Sequence, residues 1–164
     1  MIKYLFLCAM TLFCSAGWAE HVTLPTGPYP LPEYSLKYDP ARDPFIDGVE
    51  AIQLAQDSHR KILIEVGGDW CKWCHILDDF LKQNPGTAQQ LHAQFVLLKI
   101  NVSDENNNQA FLDSFPKPLG YPHMYVSAAD GNLLKSKDTA EFLVNGEYST
   151  EAFAAFINKW TTHE

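Results

Sequence analysis

Lys61-Ile62-Leu63-Ile64-Glu65-Val66-Gly67-Gly68-Asp69-Trp70-Cys71-Lys72-Trp73-Cys74-His75-Ile76-Leu77-Asp78-Asp79-Phe80-Leu81 decides the fold. Its first six residues form a short, nearly continuous apolar run closed by two glycines, the pattern of a strand covered on both faces rather than one facing water. A strand buried twice needs helices on both sides of its sheet. Beyond the cysteines, Leu77, Phe80 and Leu81 recur at helical spacing, so Cys71 and Cys74 fall at a strand-to-helix turn. There the sulfur of Cys71 meets unpaired backbone N–H groups and the positive end of the helix dipole, which favour thiolate over thiol. Lys72 adds a neighbouring cation. Cys71 is the expected attacking thiolate, and Cys74, one turn further on and deeper, the resolving thiol.

Downstream, Phe95 to Val102 reads as a second buried strand, and Ser103-Asp104-Glu105 as the cap of a helix running to about Phe115. Pro116, Pro118 and Pro122 interrupt the chain before a third strand, His123 to Ala128, which turns at Asp130-Gly131 into a fourth around Leu133 to Lys135. Ser149-Thr150-Glu151 opens a last helix with Phe153, Phe156, Ile157 and Trp160 on one side. Upstream, Asp43-Pro44 suits a helix start, with Val49, Ile52 and Ala55 as its apolar stripe. The expected architecture is α/β: a central mixed sheet flanked by helices on both faces, with a C-terminal antiparallel hairpin and helix.

The first nineteen residues have the layout of a secretory signal peptide: Lys3, an apolar core from Tyr4 to Phe13, then small residues to Ala19. The apolar run is shorter than the roughly 20 residues needed to span a bilayer. Residues 20–44 read as a proline-rich leader, with six of the ten prolines between Leu24 and Pro44; it is expected to be extended and irregular, packed on the domain surface. Residues 45–164 are left as one domain, a sensible length for a single core. Cleavage removes Cys8 and Cys14, so of the four cysteines only the Cys71/Cys74 pair stays. A bridge closing so small a loop staples almost nothing, which argues against a purely structural disulfide. The net charge of −8 and the lack of any Lys/Arg run speak against nucleic acid or a membrane surface as partner.

The motif after a buried strand, opening a helix and followed by a proline-led hairpin, resembles the thioredoxin superfamily over roughly residues 45–160. Gly67-Gly68-Asp69-Trp70 before Cys-Lys-Trp-Cys-His resembles its exported bacterial members in particular. That resemblance implies three further roles. Pro122 takes the place of the family's cis-proline and leaves the backbone of Tyr121 for a substrate strand; Glu65 takes the place of a buried carboxylate that helps move the proton of Cys74; Trp70 lines the partner-binding edge. His75 and His123 are two further candidates for tuning the sulfurs.

The expected function is thiol-disulfide exchange with protein or small thiol substrates in the periplasm, toward reduction, by a monomer that uses a redox partner protein and no cofactor or metal. Two alternatives stay open on sequence: a thioredoxin-fold binding module with an inert disulfide, and a c-type haem protein, since Cys71-Lys72-Trp73-Cys74-His75 also spells haem attachment.

Overall fold

The computed structural model describes residues 30–161; the signal-peptide reading and the first part of the leader lie outside them. Four strands form one sheet in the order β2-β1-β3-β4: β1 (Lys61–Gly67), β2 (Phe95–Asn101), β3 (His123–Ser127) and β4 (Leu133–Asp138). β1 runs parallel to β2 and antiparallel to β3, and β3 is antiparallel to β4. The sheet is therefore mixed, as expected.

Alternation along β1 and β2 sorts their side chains onto two faces. Ile62, Ile64 and Val66 of β1, with Val96, Leu98 and Ile100 of β2, pack under α2 (Pro44–Asp57) together with Tyr34, Ala51, Ala55 and Tyr125. Leu63, Phe95 and Leu97 point to the opposite face, where α3 (Lys72–Gln83), α4 (Pro85–Gln94) and α6 (Thr150–Asn158) bring Leu77, Leu91, Phe153 and Phe156. Each such fully buried aliphatic or aromatic side chain contributes about 1.5–3 kcal/mol. Glu65 and Lys99, by parity, lie on this second face.

Local chemistry sets the helix ends. Asp43 caps α2 by accepting from the Phe45 N–H at 2.8 Å, with Pro44 in the first turn. Asn84 closes α3 by donating Nδ2 to the Phe80 carbonyl at 2.8 Å, and Pro85 starts α4. Ser149 caps α6, accepting from Ala152 N at 3.3 Å.

Three expectations are corrected, and further elements are added. The stripe of α2 is Pro44, Asp47, Ala51 and Ala55, not Val49, which is exposed; small side chains let α2 approach the sheet, and Asp47 is buried because Arg42 clasps it with bonds of 2.7 and 2.5 Å. Residues 103–108 are not helical. There Asn101 Nδ2 donates to Ser103 Oγ and to the Asn106 carbonyl, and Asn108 Nδ2 to the Asn101 carbonyl. These local bonds satisfy the backbone in place of a helix, so α5 is only Gln109–Leu112. The leader is not wholly irregular: Glu33–Leu36 make one helical turn, α1, with Tyr34 and Ser35 buried. Finally, a 3₁₀ turn (Thr139–Phe142) and a small hairpin of β5 (Leu143–Val144) and β6 (Glu147–Tyr148) precede α6. Asn145 and Gly146 turn that hairpin at φ of 55° and 85°, the left-handed pair a two-residue turn demands.

Candidate functional site

Cys71 is the N-cap of α3, and its Sγ accepts a hydrogen bond from the Cys74 backbone N–H at 3.1 Å. That donor, with the helix dipole behind it, stabilises negative charge on Cys71 sulfur. Cys71 and Cys74 are joined in a disulfide, Cα–Cα 5.2 Å, and are 3% and 0% exposed. Cys74 is the deeper sulfur.

The two glycines that end β1 explain how the pair is housed. A Cβ on Gly67 would lie 2.5 Å from Cys74 Sγ and 2.9 Å from Tyr38 Cζ; one on Gly68 would lie 2.6 Å from Trp70 Nε1 and 2.7 Å from the Val102 carbonyl. Only glycine lets the strand pass so close to the sulfur and to the tryptophan.

Above the bridge the site is aromatic. Trp70 is 59% exposed, ties Nε1 to the Val102 carbonyl at 2.5 Å and meets the Tyr121 ring edge-on at 5.5 Å. Trp73 is 41% exposed and edge-on to Tyr148 at 6.0 Å. The Tyr121–Pro122 peptide bond is cis, Tyr121 packs against Cys71 and Cys74, and the Pro122 carbonyl accepts from Thr139 Oγ1 at 2.6 Å. A cleft lined by Asp69, Trp70, Val102, Asp104 and Glu105 opens beside this edge.

Below the bridge the site is ionic and closed to water. Glu65 is 0% exposed; its Oε1 accepts from the Tyr38 hydroxyl and lies 3.7 Å from Lys99 Nζ. Lys99 stands opposite Glu65 in the β1–β2 register and reaches Asp78 of α3 at 2.5 Å. Desolvation pushes the Glu65 carboxyl above the ordinary carboxylate range, against the pull of the Lys99 ammonium. Burial opposes the charge on Lys99, but Glu65 and Asp78 outweigh it and hold Lys99 above its usual value. Burial also keeps Tyr38 protonated, with its pKa well above 10.0.

Of the residues singled out from the sequence, Cys71 and Cys74 share a cluster with Tyr121, Trp70 meets Tyr121, Pro122 follows it across the cis bond, and Glu65 joins through Tyr38. The two histidine rings are engaged by other groups: His75 is exposed with Nε2 on the Asp69 carbonyl at 2.7 Å, and His123 is buried with Nε2 on Ser136 Oγ at 2.8 Å. Tyr38, Asp78 and Lys99 were missed. A lysine alone in the apolar run 95–100 was a readable signal, since a buried ammonium needs a carboxylate; Tyr38 carried none. No cluster of metal-ligating side chains occurs among the described residues.

Fold and site define a thioredoxin-like α/β protein with a Cys-x-x-Cys disulfide at the start of the helix after its central strand. The family described as Thioredox_DsbH, a protein of unknown function (DUF255), matches residues 37–115, just under half of the chain. A Caenorhabditis elegans protein described as uncharacterized is 37% identical over 54 residues, 33% of this chain and 7% of its own length. The thiol:disulfide interchange protein DsbD of Klebsiella pneumoniae is 25% identical over 107 residues, 65% of this chain and 17% of its own. The chain thus spans less than a fifth of the length of both relatives. Among solved structures, a disulphide isomerase from Xylella fastidiosa Temecula1 superposes with a TM-score of 0.64 at 24% identity, over 76% of this chain and 96% of that one. The oxidised C-terminal domain of Neisseria meningitidis DsbD gives 0.54 at 16% identity, over 72% and 96%. These structural likenesses bear on the fold.

Proposed function

We propose that this protein is a thiol-disulfide oxidoreductase that acts outside the cytoplasm on protein or small thiol substrates, in the reducing direction. The observation that carries the reading is the Cys71–Cys74 disulfide, with Cys71 as N-cap of a helix and buried Glu65 joined to the same cluster through Tyr38.

In the reduced protein the Cys71 thiolate attacks a substrate disulfide; that S–S bond breaks, one substrate sulfur leaves as thiolate, and Cys71 is held in a mixed disulfide. Cys74 then gives its proton to the Glu65 carboxylate and attacks Cys71 Sγ. The second substrate sulfur leaves, and the internal disulfide forms. Two electrons have passed to the substrate, so a thiol-bearing redox partner must return them. Trp70, Tyr121 and Pro122 form the substrate-binding edge in this reading, with a partner strand laid along Tyr121. The names of the DsbD relatives fit such a role, and no helix among the described residues is long and apolar enough to cross a membrane. Haem attachment through the same motif is disfavoured because Cys74 sulfur lies sealed under Gly67 and Tyr38.

Insulin reduction with dithiothreitol tests the activity: wild-type protein accelerates it and Cys71→Ser falls to the uncatalysed rate. Equal rates would show a binding module with an inert bridge. Direction is read from the reduction potential, about −270 mV for a reductant and about −120 mV for an oxidant.

A further inference from the structure

The leader segment reaches into the redox site. Ser35 Oγ donates to the Leu97 carbonyl at 2.5 Å, and the Pro40 carbonyl accepts from Asn106 Nδ2 at 3.0 Å. Between these two anchors Tyr38 is buried in one apolar cluster with Cys71 and Cys74. Tyr38 Oη and Cys74 Sγ lie 3.0 and 2.5 Å from one point, the place a Gly67 Cβ would occupy. The same hydroxyl donates to Glu65 Oε1, while Glu65 Oε2, equally buried, has no hydrogen-bond partner.

We propose that Tyr38 is a positioning residue of the redox site: its hydroxyl fixes the Glu65 carboxylate by Oε1, so that Oε2 stays aimed and ready to take the proton of Cys74. The inference rests on the oxidoreductase reading above and adds a residue from outside the strand-and-helix core. In the step concerned, the Cys74 S–H bond breaks, its proton passes to a Glu65 oxygen, and the sulfur electron pair forms the bond to Cys71. A hydrogen bond donated to the carboxylate favours its charged form. Tyr38 thereby offsets part of the desolvation that would otherwise leave Glu65 protonated and unable to accept. The other groups acting on Glu65 are Lys99 from β2 and Asp78 from α3, with Tyr148 from β6 further out.

Tyr38→Phe keeps the ring and deletes the hydroxyl. The acid limb of the pH profile for insulin reduction should move up by about one pH unit, making the variant about tenfold slower below the limb and equal to wild type well above it, with the fold retained at a lower melting temperature because a buried carboxylate oxygen loses its donor. A superposable profile overturns the inference while leaving the oxidoreductase reading intact. The second readout needs no activity: the infrared carboxyl band of Glu65 in the reduced protein, assigned with Glu65→Gln, should titrate about one unit higher in Tyr38→Phe. An unchanged midpoint overturns the role of Tyr38 whatever the insulin assay shows.

Discussion

On the outer side of the Cys71–Cys74 bridge lie Trp70, Trp73 and Tyr121, rings that meet their neighbours edge-on and are partly open to water. On the inner side lie Glu65, Lys99 and Tyr38, tied to one another and shut away from it, with Asp78 leading outward from Lys99. The difference suits what each sulfur would do in the proposed exchange. Cys71 meets a macromolecule or a small disulfide, and aromatic rings bury area at low entropic cost without demanding one sequence. In the proposed reaction Cys74, 0% exposed, loses its proton away from water, so its surroundings must hold an acceptor, and a buried acceptor needs a counter-charge and a donor.

Disabling the inner side should cost most. Glu65→Gln removes the acceptor, and the rate of insulin reduction at neutral pH should drop about a hundredfold, within the span expected of a lost acid-base group; KM should change little, since no outer ring is touched. The same variant reports on stability. Glu65 binds its proton more tightly in the folded protein than in the unfolded chain, so its contribution is complete below the ordinary value of 4.5 and declines as pH rises through the higher folded value. Urea midpoints between pH 4 and 8 should therefore show a descending component in wild type that Glu65→Gln lacks.

Gly67→Ala attacks the boundary between the two sides. Its Cβ would press on Cys74 Sγ and on the Tyr38 ring, so a loss of about 1–3 kcal/mol in urea unfolding is expected, together with slower turnover. The smallest effect should come from the outer side. Trp70→Ala removes one of several apolar contacts and should raise KM a few-fold with kcat nearly constant; a collapse of kcat instead would mean that the outer rings also shape the chemistry.

The outer site could be read in the sequence because its residues sit beside the cysteines or at a proline with a familiar place in the chain: Trp70 precedes Cys71, and Tyr121-Pro122 leads the hairpin. The sheet could be read because β1, β2 and β3 are compact apolar runs, while the exposed edge strand β4 follows from the Asp130-Gly131 turn. The inner site was only half legible. Glu65 stood out as one carboxylate in a buried strand, but its partners come from residues 27 and 34 positions away, Tyr38 and Lys99, joined to it by strand register and by the path of the leader, which no local pattern encodes. The loop at residues 103–108 misled because Ser103-Asp104-Glu105 suits a helix start, while the asparagines after it satisfy the backbone in place. At Asn145-Gly146 the sequence does carry a hairpin signal, the pair of residues that tolerates positive φ.

The division of labour between the two sulfurs is tested most directly by trapping. Reduced Cys74→Ser and Cys71→Ser proteins, each mixed with a disulfide substrate and quenched in acid, are examined by mass spectrometry. Cys74→Ser should accumulate one covalent adduct, mapped to Cys71 and stable because the resolving thiol is gone, while Cys71→Ser stays largely unmodified. Equal adducts in both variants, or none in either, would contradict the assignment of Cys71 as the attacking sulfur and Cys74 as the resolving one.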